Sequence, residues 1–179
     1  MARKVKGIKA AKSVALIGIM SATIECAKLA LAAIPNVEAV SLLIALYSYV
    51  FGIYGVISTV VFVCIEPLIW GFNTWVATYL IYWPLLGLVF LLLGKFNVKN
   101  RFLIAGIAVF MTFFFGVLSS LVDIGLLTGF FDDFFVRFGI YYARGIAFYA
   151  VHITSNAIIF LLLFLPFLKR LEKLARGYF

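Results

Sequence analysis

The side chains able to do chemistry lie inside apolar stretches. Glu25 and Lys28 interrupt the run "ECAKLALAAIPNVEAV", Glu38 follows its Pro-Asn break, Glu66 precedes Pro67, and Asp123 comes late in another apolar segment. Arg144, His152 and Asn156 fall within a fourth. An ionised group at the centre of a spanning helix costs about 2.5–3.5 kcal/mol on insertion scales, so such groups need a partner or water. Glu25 and Lys28, three residues apart, share a helical face. Pairing of Glu25 with Lys28 and of Arg144 with Asp123, and a clasp made by His152 and Asn156, would satisfy each group separately. The set as a whole instead points to one polar cavity between helices. Asn36, Asn73, Trp70, Trp75 and Tyr79 fall at the same level, where many aromatics are simply interfacial. A flat aromatic wall with a few convergent polar groups suits a small ring compound. Carboxylates outnumber Lys28 and Arg144 in this set, which favours a neutral or cationic ligand over a polyanion.

Other chemistries lack their residues. "GKF" at Gly94–Phe96 has a Gly-Lys pair without the preceding glycine or the following Ser/Thr of a phosphate-binding loop. There is one histidine, no HExxH and no paired-cysteine metal spacing, so no enzymatic role, cofactor or metal is expected. Cys26 and Cys64 read as packing residues, a reactive thiol being the alternative. The net charge of +8 comes from clusters at the start (Arg3, Lys4, Lys6, Lys9, Lys12), in one loop (Lys95, Lys99, Arg101) and at the end (Lys169, Arg170, Lys173, Arg176). Clusters placed this way are positive-inside signals, not a nucleic-acid surface.

The elements that must position these groups follow from composition. The chain of 179 residues is 66% hydrophobic and 12% charged, with a mean hydropathy of +1.18, as expected of an integral membrane protein. A span needs roughly 20 apolar residues, so the length allows about six and one domain over residues 1–179. The breaks "IPN", "GIY" and "GFNT" and the basic loop predict helices at about 8–33, 37–51, 54–70, 75–93, 102–127 and 140–168. An all-α, six-helix membrane bundle with both ends inside places the basic clusters on one side and the polar set in the outer half. The predicted second helix is short for a span, so it is tilted, packed behind its neighbours or stops below one surface. "GFFDDFFVRFG" from Gly129 to Gly139 is expected to be an outer loop, as an interfacial anchor or a lid. The first hydrophobic segment is too long for a cleavable leader, and no inverted repeat relates the two halves.

The chain resembles the substrate-binding S components of energy-coupling factor (ECF) vitamin transporters. The resemblance rests on size, the six helices with both ends inside, Ala11-x-x-x-Ala15 in the first helix, "IPNVEAVSLL" leading into the second, and "HITSNAIIFLLLFLPFL" in the last. It implies a bacterial cytoplasmic-membrane protein that binds a vitamin-like micronutrient at its outer face. It further implies docking through Ala11 and Ala15 on a membrane coupling protein joined to two cytosolic ATPases, and toppling in the bilayer to release the ligand inside. The vitamin does not follow from the resemblance, because ligand residues diverge among such proteins. The competing readings are a small secondary carrier or channel using Glu66 or Asp123, and a non-transporting membrane assembly subunit.

Overall fold

A computed structural model describes residues 10–178 and is helical from end to end. The expected first turn at Ile8 and the basic residues Arg3, Lys4, Lys6 and Lys9 lie outside the described residues. Seven α-helices follow in order: α1 (Ala10–Leu31), α2 (Val40–Phe51), α3 (Ile53–Trp70), α4 (Thr74–Lys95), α5 (Arg101–Thr128), α6 (Phe134–Ile159) and α7 (Leu165–Tyr178). A π-helical turn, Phe160–Phe164, joins α6 to α7 without a break. There is no strand among the described residues. Five helices are long and apolar enough to cross a membrane, the fifth running through the π-turn from Phe134 to Arg176.

The short α2 is the exception. Its 12 residues span about 18 Å, against a hydrocarbon thickness of about 30 Å. Val40, Leu42, Ile44, Ala45 and Leu46 are buried, and α2 packs on α1, α3, α4, α6 and α7. Of the alternatives for this helix, the packed position is the one observed: α2 is a central strut enclosed by its neighbours. Close approach is achieved by removing side chains. A Cβ on Gly55 of α3 would lie 2.4 Å from the Ser48 nitrogen, and one on Gly94 of α4 would lie 2.3 Å from the Tyr49 carbonyl oxygen. The α2–α3 corner turns at Gly52, whose φ of 60° is open to glycine and strained for other residues.

The caps are local. Asn73 begins α4 by accepting from the Thr74 N–H, and Asn100 begins α5 by accepting from the Phe102 and Leu103 N–H groups. Asn73 therefore acts as a cap. The expected loop from Gly129 to Gly139 is shorter than the sequence suggests, because α6 already starts at Phe134. Arg137 closes the corner, donating to the carbonyls of Thr128, Gly129 and Phe131 and to the Thr128 hydroxyl. Aromatic and glycine content masked the start of α6: Phe134 and Phe138 stack one turn apart, as a helix requires.

The basic residues of the α4–α5 loop and α7 gather at one end of the bundle. The Tyr49 hydroxyl at the end of α2 donates to the Val98 carbonyl in the α4–α5 loop, and Lys99 pairs with Glu172 of α7 at 3.3 Å. Glu25, Glu38, Glu66 and His152 lie towards the other end.

Candidate binding site

At that other end the helices enclose a cavity of about 500 Å³. Its lining comes from late α1 (Lys28, Leu31), the α1–α2 turn (Ile34, Pro35, Asn36, Val37, Glu38), Phe62 and Trp70 of α3, and Trp75, Tyr79 and Trp83 of α4. Phe115 of α5 and Phe148 and His152 of α6 complete it. Seven aromatic rings thus surround it, and the rim residues Ile34, Pro35, Trp70 and Phe148 are exposed.

Two polar centres lie at its wall. In the first, the Glu38 carboxylate is held from three directions. Oε2 accepts from the Ser41 backbone N–H at 2.7 Å in the first turn of α2, where the helix dipole favours an anion. Oε1 accepts from Asn156 Nδ2 at 2.9 Å and lies 3.2 Å from His152 Nε2. Asn156 also donates to the Thr112 hydroxyl at 3.1 Å, tying α5 to the same centre. Burial pushes the Glu38 carboxyl up, but the hydrogen bond and charge of His152, with the Ser41 hydrogen bonds, outweigh it and hold the group below the usual carboxylate range.

In the second centre, Lys28 forms an ion pair with Glu66, whose side chain is fully buried. The Lys28 ammonium lies 5.3 Å from the Tyr79 ring centroid, 5.5 Å from Trp70, 5.6 Å from Trp75 and 6.0 Å from Phe62, an aromatic box of the kind that attracts cations. The Glu25 carboxyl lies beside Glu66 and Lys28. Glu25 is buried, and neither of its oxygens has a well-aligned hydrogen bond.

Further polar atoms at the site lack protein partners. Trp83 Nε1, with its ring lining the cavity, and Asn156 Oδ1, just behind Glu38, are buried without hydrogen bonds. Buried polar groups in folded proteins are nearly always bonded, so an orphan donor in a cavity wall is a place for a ligand acceptor or a water.

No family model, curated protein or solved structure matches the chain. The site therefore rests on its own geometry.

Of the residues expected from sequence to bind, Lys28, Asn36, Glu38, Trp70, Trp75, Tyr79 and His152 line the cavity. Glu66, Glu25 and Asn156 lie directly behind it, in contact with residues that do. Three do not join it. Asn73 is spent on the α4 cap. Asp123 lies about 12 Å along α5 beyond Phe115, and Arg144 lies on an exposed stretch of α6 the same distance before His152. Arg144 and Asp123 form no ion pair by distance; each is a neighbour of Tyr141. Glu25 and Lys28 share a face as expected, but Lys28 bonds Glu66, and His152 and Asn156 clasp Glu38. Sequence reading missed Phe62, Trp83, Phe115 and Phe148. Each looks like an ordinary apolar residue of a spanning helix, and only helix rotation turns it inward.

Proposed function

We propose that the protein is a substrate-binding S component of an ECF-type importer: a six-span protein of a bacterial cytoplasmic membrane with both ends inside, taking up a small vitamin-like compound. In this reading the cavity faces outward, and α2, though short, counts as the sixth span because its ends reach both polar ends of the bundle. The basic residues of the α4–α5 loop and α7 then face the cytosol, in keeping with the positive-inside rule. Ala11 and Ala15, both exposed on α1, are the docking surface for a membrane coupling protein, and two cytosolic ATPases supply the energy that this chain has no motif to provide.

The observation that carries the reading is the aromatic-walled cavity, open at its rim, with two internally braced carboxylate centres at the end opposite the basic cluster of the α4–α5 loop and α7. Such a pocket of about 500 Å³ is of the size that buries a small molecule. Native mass spectrometry of the purified chain tests it: a co-purifying compound of a few hundred daltons is expected, with uptake in cells only when a coupling module is co-expressed. Uptake by the chain alone, driven by an ion gradient, would overturn it in favour of a secondary carrier. The adjacent buried carboxyls of Glu25 and Glu66 are the feature that favours that second reading.

A further inference from the structure

Resting on the reading of the cavity as a binding pocket, we infer that its ligand carries a cationic nitrogen on an aromatic ring, and that this cation takes the place the Lys28 ammonium holds in the box of Trp70, Trp75, Tyr79 and Phe62. Lys28 is then a resident occupant, a stand-in that the ligand displaces.

The argument begins with charge. Glu38 and Glu66 supply two carboxylates at or behind the wall, with the Glu25 carboxyl group beside Glu66; Lys28 supplies one ammonium, and His152 adds a second positive charge only when protonated. An anionic ligand would enter a pocket already short of cations, whereas a cation corrects the imbalance. The second step is geometry. Four rings within 5.3–6.0 Å of one ammonium make a cation site in its own right, and that site backs onto a fully buried carboxylate. The Lys28 side chain is 24% exposed, where Glu66 is 0%, so the flexible partner borders the cavity and the fixed one does not. A lysine stem can swing its ammonium towards solvent at modest cost, and the aromatic box and Glu66 would remain for the incoming cation. The third step is the neighbour. Glu25, buried beside Glu66, puts a second carboxyl group in the same corner, within reach of a cation that pairs with Glu66.

The chain's three tryptophans all line this cavity, so intrinsic tryptophan fluorescence reads its occupancy alone. The experiment titrates the full chain in lipid nanodiscs with three probes of similar size: benzylammonium, neutral benzamide and anionic benzoate. Benzylammonium is expected to give a saturable change with at least tenfold higher affinity than either control. In Lys28→Met, benzylammonium is expected to bind about tenfold tighter than in the parent and to raise the thermal midpoint of the variant, a chemical rescue that a purely structural lysine would not produce. Glu66→Gln is expected to erase the preference for the cation. If Lys28→Met does not fold, Trp75→Leu, which leaves the ion pair intact, is read in its place, with loss of the cation preference expected. Tighter binding of benzoate or benzamide overturns the inference, as does an unchanged cation affinity in both Glu66→Gln and the Lys28→Met or Trp75→Leu variant. A co-purified neutral or anionic compound would overturn it while leaving the binding reading intact, and a failure of coupled uptake would leave the probe titration to decide.

Discussion

Glu66 and Lys28 are unequal partners, and the inequality predicts different costs for removing each. Deleting the ammonium leaves a fully buried carboxylate unpaired, a change worth up to about 3–5 kcal/mol in buried pairs. Glu66→Gln leaves a lysine that still reaches the cavity, so it should cost clearly less. Thermal unfolding in detergent is expected to rank Lys28→Met below Glu66→Gln. At the other centre, His152→Phe and Asn156→Leu each remove a donor from Glu38 and should weaken ligand binding by roughly tenfold or more, since buried charged hydrogen bonds contribute about 1.5–3 kcal/mol. The Glu38 carboxyl is held below its ordinary range when folded. A group depressed in this way stabilises the fold above its unfolded value and loses that contribution as the pH falls through the folded value. Acid below about pH 4.5 should therefore loosen the site, and Glu38→Gln, less stable at neutral pH, should show a flatter acid limb. The ionisable members of the site were legible in the sequence because charge is rare in apolar runs; their partners were not. Lys28 has one carboxylate three residues away and another on α3, and only the crossing of α1 over α3 decides for Glu66.

Helix by helix, the breaks at Pro-Asn, Gly and Asn-Thr placed five of the six expected helices to within a few residues, and the sixth proved to begin several residues earlier and to continue into α7. Phase was the part that sequence did not yield. His152, Asn156, Phe160, Phe164 and Leu168 are all buried at steps of four residues. In a regular α-helix each such step advances about 40° around the axis, so Leu168 would face about 160° away from His152. The π-helical turn, with its wider i→i+5 bonding, takes up the excess and keeps the five on one face. Deleting one residue within 160–164 should restore regular helix, turn α7 away from α2, and expose Tyr49 and Leu168; hydrogen exchange in α7 would report it. The glycine contacts make a firmer demand. Gly94→Ala puts a methyl 2.3 Å from the Tyr49 carbonyl oxygen, which neither backbone can vacate easily. It should cost about 1–3 kcal/mol or more, the usual range for overpacking, whereas Gly106→Ala, with open space around it, should be neutral or slightly stabilising.

For the molecule as a whole, composition alone was enough to indicate a helical membrane bundle; it led to an expectation of six spans, where five helices among the described residues are long and apolar enough to cross a membrane. It did not reveal that α2 is enclosed, because a buried helix and a lipid-facing one are equally apolar. The bundle is asymmetric in a way that suits the proposed assembly. One end holds the polar cavity, and the other presents the exposed start of α1, where the small residues Ala11, Ala15 and Gly18 lie beside the exposed Val14 and Ile19. Replacing Ala11 or Ala15 by Trp is expected to abolish uptake with a co-expressed coupling module while leaving probe binding in the cavity unchanged. Uptake that survives in both variants would refute the docking role.

Glu38 has a consequence for biosynthesis. Its donors His152 and Asn156 lie 114 and 118 residues further along the chain, in an apolar segment that leaves the ribosome after α1 to α5. Until that segment inserts, a carboxylate at the head of the innermost helix has Ser41 alone. A chain arrested after α5 would therefore carry an unmet charge next to lipid, a mark by which membrane proteases could tell unfinished copies from finished ones.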